Sequence, residues 1–266
     1  MSKQVKDDIG ERMKEYEKVS RNFLVRRVPV AIRIDGQHFH SFCKGFKRPF
    51  DTIFTNAMNT TMVELCKNIQ GCIFGYVQSD EITLILQDYA TIKTDAWFEY
   101  NIQKLTSISA SMATLYFNRA IDNELSSYIN YLLEAYSNNG QWLPEDEDKY
   151  VDKINNQWLK GATFDSRAFN IPKDEVVNLV YWRQLDAIRN SIQACGQSMY
   201  SHKQLEGKSC AMIKEMLADD GKPWEDLPIA FQRGRACYRD EEHGWILDEE
   251  MPVLKGEDRE YLERLI

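Results

Sequence analysis

Two acidic residues carry the clearest chemical signal in the chain. Asp35 ends an apolar run and precedes a glycine, Val30-Ala31-Ile32-Arg33-Ile34-Asp35-Gly36; Asp80 ends another, Ile73-Phe74-Gly75-Tyr76-Val77-Gln78-Ser79-Asp80-Glu81. Both runs are short and rich in β-branched or aromatic residues, which predicts buried strands. A carboxylate at the end of a buried strand costs desolvation energy unless a cation sits beside it. Mg²⁺ suits such a pair, because it takes one or two carboxylates and fills its octahedron with water and substrate phosphates. The chemistry implied is metal-assisted phosphoryl or nucleotidyl transfer. Gly36 lets the backbone approach a ligand closely and can lend its carbonyl to a metal. The next residues, Gln37 to His40, can turn backbone N–H groups towards a triphosphate. On its own the Asp35-Gly36 dipeptide is most simply an ordinary turn after an edge strand.

Asp80 is followed directly by Glu81. Alternation along a strand points the two to opposite faces, so only one shares a site with Asp35. Asp80 takes that place, and Glu81 supports it or pairs with a basic side chain. His38 and His40 form an H-x-H pair beside a carboxylate, which admits a zinc reading. Contact with a triphosphate or base ranks above zinc, and simple packing about level with it. Further along, Trp182, Asp186, Arg189 and Asn190 lie on neighbouring helical rows and share one surface, part of which an internal Arg–Asp pair explains. Lys208 falls at a helix start, where a phosphate is favoured, but its surroundings are too short for a P-loop.

These residues need a scaffold. The 266-residue chain is 43% hydrophobic and 28% charged, enough for a large globular core. No apolar stretch approaches a membrane span, and the N-terminus lacks a secretory run, so a cytoplasmic protein is expected. The six cysteines form no C-x-x-C pair and read as buried free thiols. A net charge of −8 argues against coating nucleic acid through bulk charge but leaves room for a local basic groove.

An amphipathic helix is expected over residues 3–20, then a first strand, a loop from Gly36, and a helix capped by Asp51 and running to Ile69. Residues 72–78 and 82–86 read as a hairpin, 97–121 as a long helix rich in small residues, and 162–170 as a fourth strand. This order is the ferredoxin-like split βαβ arrangement, an α+β fold that also forms the palm of many polymerases and nucleotide cyclases. A palm-like catalytic core is therefore expected over 1–136 and 157–172, interrupted by an acidic insertion or loop at 137–156. The remainder, 173–266, reads as mainly helical (176–194 and 210–217) with a small hairpin in which 229–231 and 236–238 pair with 244–247.

Together the pieces resemble the tRNA-His guanylyltransferase superfamily of 3′-to-5′ polymerases. The resemblance rests on Arg33 to Phe42, Gly75 to Glu81, Phe164-Asp165-Ser166-Arg167 and Trp182-Arg183-Gln184, in family order and spacing over about residues 10–240. It implies a palm that uses two Mg²⁺ ions, with Asp35 and Asp80 as the metal carboxylates and Gly36 lending its carbonyl. It implies that Asp35 to His40, Phe39 included, hold the incoming nucleotide with Ser79 and Asp80. Arg48-Pro49 matches a basic-Pro step near the triphosphate. The family's eukaryotic members carry His-Ile-Asn-Asn after Trp-Arg-Gln; here the aligned residues are Ile188-Arg189-Asn190-Ser191. That departure, with residues 198–209, resembles the guanylyltransferase-like branch, whose members rebuild 5′-truncated tRNA ends by template pairing. The implied function is template-dependent addition of nucleoside triphosphates to a tRNA 5′ end, for 5′-end repair, G addition to tRNA-His or both, after activation with ATP or GTP, by a homotetramer. The alternatives are a palm-type nucleotide cyclase or other nucleotidyltransferase that needs no RNA, and a non-catalytic RNA-binding module.

Overall fold

Six strands build one antiparallel sheet, and they lie where buried, β-branched runs and turn signals coincide. The computed structural model describes residues 8–137 and 143–266; the expected helix over 3–20 and the acidic stretch at 137–156 therefore lie partly outside the described residues. In chain order the elements are α1 (Ile9–Lys18), β1 (Val30–Gln37), α2 (Phe39–Phe42), α3 (Thr52–Asn68), β2 (Cys72–Gln78) and β3 (Glu81–Leu86). Next come α4 (Ile102–Ser137), α5 (Glu145–Trp158), β4 (Thr163–Asn170), α6 (Val176–Met199), α7 (His202–Leu205) and α8 (Cys210–Asp219). The chain closes with α9 (Ile229–Arg233), β5 (Arg235–Asp240), β6 (Gly244–Asp248) and α10 (Glu260–Glu263). The strand order is β4-β1-β3-β2-β5-β6. Asp51 caps α3 as its sequence position predicts, accepting a hydrogen bond from the Phe54 N–H.

The two sheet faces carry different cores. On one, Val30, Ile32, Ile34, Leu84 and Leu86 pack against α3 and α4. On the other, Ala31, Phe74, Tyr76 and Ile85 pack against Val176, Val177 and Val180 of α6 and against Met251, Leu254 and Leu262 near the C-terminus. The small residues of α4 allow the close approach expected of them: the buried Ser109 hydroxyl meets that of Ser166 on β4 at 2.7 Å.

Three expectations change. The acidic stretch is no loop over Glu145–Trp158 but α5, with Tyr150 and Ile154 buried. Its acidic first turn, Glu145 to Asp148, complements the helix N-terminus, so the same charges that suggested a solvated loop favour a helix start. The long fourth helix continues past 121 because Leu125 and Leu132 remain buried. Residues 229–233 form α9 rather than a strand: Pro228 precedes the helix and its carbonyl accepts from the N–H groups of Phe231 and Gln232. The C-terminal hairpin is then β5 and β6 alone, and β5 pairs with β2, so the hairpin extends the main sheet and covers an edge that would otherwise be open. No helix among the described residues is long and apolar enough to cross a membrane.

Candidate active site

At the C-terminal end of β1 the strand register aligns three carboxylates. Asp35 lies directly across from Asp165 of β4 on one side and Glu81 of β3 on the other. Directly opposed residues share a face, here the α6 face, since Ala31, four residues before Asp35 and so on the same side of β1, belongs to that core. Asp80 is not on a strand. Gln78 pairs with Glu81, which leaves Ser79-Asp80 as a two-residue turn with Ser79 at φ 48°. Alternation therefore does not govern Asp80, and Asp35 neighbours both acidic residues of the hairpin. The Gly36 N–H donates to the Asp80 carbonyl at 3.1 Å, tying the turn to the end of β1. The Ser79 hydroxyl donates to the Asp80 carboxylate at 3.0 Å.

The four carboxylates differ in how they are compensated. Asp165 pairs with Arg167 at 3.2 Å. Glu81 receives the Arg183 Nε at 2.6 Å, with Arg33 at 3.9 Å, and Arg183 also donates to Asp186 at 2.8 Å. Asp35 and Asp80 form no ion pair among the described residues. Burial, then the charge of Asp165, raises the Asp35 pKa against the pull of Arg167, Arg33 and Arg183. Burial raises that of Asp80, with Asp35 adding to it and the Ser79 hydroxyl opposing. Burial raises Glu81 as well, opposed first by Arg183.

Two desolvated carboxylates without an ion-pair partner among the described residues, beside the backbone of Gly36, make a hard all-oxygen donor set. No group of three or more His, Cys, Asp or Glu side chains forms a metal cluster among the described residues. A cation held here must complete its shell from water and phosphate, which fits Mg²⁺.

Gly36 has a packing reason as well. A Cβ there would stand 2.3 Å from the Phe39 ring. That ring is 3% exposed and belongs to an aromatic cluster with Phe42, Phe54, Phe117 and Phe164. Phe39 was expected to hold nucleotide; its ring is committed to the core, so only its backbone is available. His38 is exposed in the left-handed region (φ 59°), and its carbonyl accepts from Ser41 and Phe42, opening α2. Gln37 accepts from the Thr163 hydroxyl at 3.0 Å.

A cleft of about 270 Å³ adjoins the hairpin turn. Gln78 and Ser79 form one wall, His40, Cys43 and the segment from Phe46 to Asp51 another, and Ala187, Asn190 and Ser191 of α6 a third. Ala230, Phe231, Gly234 and Arg235 line it as well. Asp80 follows the cleft-lining Ser79, and burial, then the charge of Asp80, pushes the Cys43 thiol up to about 12. The Phe50 and Phe231 rings stack at 4.6 Å and 9°.

Of the residues singled out in the sequence, Asp35, Gly36, Ser79, Asp80 and Glu81 meet at the strand ends, and His40, Arg48, Ser79 and Asn190 line the cleft. Asp186 gathers Arg189 and Asn190, the latter at 3.3 Å, as helical spacing implied. Lys208, on the turn between α7 and α8, does not line the cleft; α8 packs on α6 through Ile213 and Leu217 and sets that turn elsewhere. Sequence reasoning missed Asp165, Arg183 and Arg33 as neighbours of Asp35, and Arg235 entirely. Alternation on β4 was the available signal for Asp165 and Arg167; nothing local marks Arg235.

A family model described as tRNAHis guanylyltransferase matches residues 10–172. A solved structure of a bacterial tRNA(His) guanylyltransferase (Thg1)-like protein in complex with ATP is 38% identical, with TM-score 0.80 over 97% of this chain and 99% of that one. A second, in complex with GTP, is 35% identical, with TM-score 0.73 over the same shares, 97% and 99%. The tRNA(His) guanylyltransferase 2 of Arabidopsis thaliana is 24% identical over 94% of this chain, which spans only 45% of that protein.

Proposed function

Since the chain belongs to the tRNAHis guanylyltransferase family and is a nucleotidyltransferase, we propose that it adds nucleoside triphosphates to the 5′ end of tRNA in the 3′-to-5′ direction, guided by template pairing and acting in 5′-end repair. The observation that carries this reading is the pair Asp35 and Asp80, desolvated and without an ion-pair partner among the described residues, beside a cleft lined by His40, Arg48 and Asn190.

In the first step an oxygen of the tRNA 5′-phosphate attacks the α-phosphorus of ATP or GTP, and pyrophosphate leaves. In the second, the 3′-hydroxyl oxygen of an incoming triphosphate attacks the 5′-phosphorus of the activated end, the hydroxyl proton is lost, and the nucleoside monophosphate leaves. Asp35, Asp80 and the Gly36 carbonyl would hold two Mg²⁺ ions, which supply charge neutralisation and a more acidic attacking hydroxyl. Ser79 fixes the Asp80 carboxylate, and Glu81 anchors Arg183 and Arg33 so that the edge beside Asp35 stays ordered. The backbone from Gln37 to His40, the imidazoles of His38 and His40, Ser79, Arg48, Arg189 and Asn190 position the nucleotide. Most of the acceleration then comes from placement and preorganised charge.

The same proposal includes a cytoplasmic homotetramer. Helix α1 supports assembly: Ile9, Met13, Tyr16 and Val19 are exposed and the helix buries nothing within the chain. Light scattering that shows a monomer would remove that part.

The deciding experiment is 5′-extension of end-labelled tRNA lacking its first nucleotide, with each triphosphate in turn. Extension by the nucleotide complementary to the opposing base is the expected result. Cyclic nucleotide formed from GTP without RNA would replace this reading, and RNA binding without any product would overturn it.

A further inference from the structure

Arg235 is the one strongly buried cation of the cleft, 4% exposed, and nothing in the reaction outlined above uses it. Its Nε donates to the Asn59 side-chain oxygen at 2.7 Å and its Nη1 to the Ala230 carbonyl at 3.4 Å. No carboxylate lies within ion-pair distance among the described residues; the charge of Glu249 acts on it from farther off, and the Asn59 amide between them donates to Glu249 at 3.4 Å. Burial pulls its pKa down to about 10, so it stays protonated at neutral pH. A buried guanidinium without a carboxylate costs free energy that its two protein bonds offset only in part. These bonds use two of the five guanidinium N–H groups, and the side chain lines the cleft with the other three matched to no protein acceptor among the described residues.

The neighbouring geometry is built around this side chain. Gly234 has φ 87°, and a Cβ there would stand 2.6 Å from the Tyr76 hydroxyl, which donates to the Arg233 carbonyl at 2.7 Å. The turn that delivers Arg235 is thereby pinned to the sheet. Around it stand flat or apolar walls: the stacked Phe50 and Phe231, with Ala187 and Ala230. Such walls suit a planar base better than a triphosphate, and a purine can extend the ring stack.

We propose that Arg235 reads the base of the nucleotide in this cleft and favours guanine. The inference rests on the reading of the cleft as a nucleotide site. Arginine only donates hydrogen bonds. Guanine presents two acceptors along one edge, O6 and N7, whereas adenine presents N7 beside an amino donor. A guanidinium fixed at the cleft wall therefore meets complementary groups in guanine and a donor clash in adenine.

The test is calorimetric binding of GTP, ATP, ITP and 7-deaza-GTP to the full chain with Mg²⁺ and without tRNA, so that no transfer occurs. ITP keeps both acceptors and should bind like GTP. ATP and 7-deaza-GTP should each bind about 10-fold more weakly. Arg235→Met keeps the length of the side chain and removes every donor, and should bring the GTP and ATP affinities to within about 2-fold of each other, its folding checked by circular dichroism. Equal affinity of the wild type for all four nucleotides overturns the proposal, as does an unchanged GTP preference in folded Arg235→Met. Should that variant not fold, the four-nucleotide series on the wild type decides alone. Loss of tRNA extension with the guanine preference intact would count against nucleotidyl transfer and leave Arg235 in its role.

Discussion

The two faces of the sheet follow the same strands and end differently. Beneath α3 and α4 the face is apolar to its end: Val30, Ile32 and Ile34 of β1 run into the aromatic cluster around Phe117. Beneath α6 the face changes character along each strand. Ala31 gives way to Arg33 and Asp35, Ile85 to Thr83 and Glu81, and Phe169 to Arg167 and Asp165, all in matching register. The apolar half is covered by Val176, Val177 and Val180, and the charged half by the helical turn that carries Trp182, Arg183 and Asp186. Trp182 is 52% exposed, with the Arg183 guanidinium 4.6 Å from its ring. Stability and chemistry are thus separated by face and by position along the strand, and the contrast makes predictions of opposite sign.

The largest effect should come from neutralising the charged half. Asp35→Asn or Asp80→Asn should reduce 5′ extension on the order of 10³-fold or more, because preorganised charge supplies most of the rate, with tRNA affinity largely kept. Each variant should also be more stable than the wild type in metal-free buffer, on the order of 1 kcal/mol. Extension at wild-type rates would remove both residues from the metal site. Phe117→Ala, on the apolar face, should do the reverse and lower stability by about 3–5 kcal/mol, as emptying a fully buried aromatic position does; denaturant titration measures it. Gly36→Ala sits where the faces meet. Its Cβ must displace the Phe39 ring, so a loss of roughly 1–3 kcal/mol is expected together with reduced extension. A variant with full stability and activity would show that the ring can move freely.

The smallest effect is on pH dependence. Asp35, Asp80 and Glu81 all hold protons more tightly folded than unfolded, since their pKa values are raised chiefly by burial. Their contribution to stability is full below the ordinary carboxylate pKa, about 4, and is lost as the pH rises through the raised values. The Tm of metal-free Asp80→Asn minus that of the wild type should therefore grow from acid towards neutral pH, and shrink when Mg²⁺ is added to both. A difference that stays flat with pH would mean that Asp80 is not desolvated.

Much of this was legible along the chain. The β1 run, the Asp51 cap and the β2–β3 hairpin follow from local pattern, because side-chain period and capping act over a few residues. Reading stopped short where a contact joins distant segments. Acidity at 145–148 suggested a loop, yet Tyr150 and Ile154 dock the helix. Residues 229–231 carried strand-like composition, yet Pro228 starts a helix there.

The sequence by itself determined that one carboxylate lies near the end of a buried strand with a glycine after it, and that a second carboxylate closely follows another buried strand. Only the tertiary structure decided that Asp80 stands in a turn rather than on a strand, that Glu81 is spoken for by Arg183, and that Arg235 is buried with no carboxylate at ion-pair distance among the described residues. The reason is physical: a strand's pattern is set by its own residues, whereas the compensation of a buried charge depends on side chains that arrive from elsewhere in the fold.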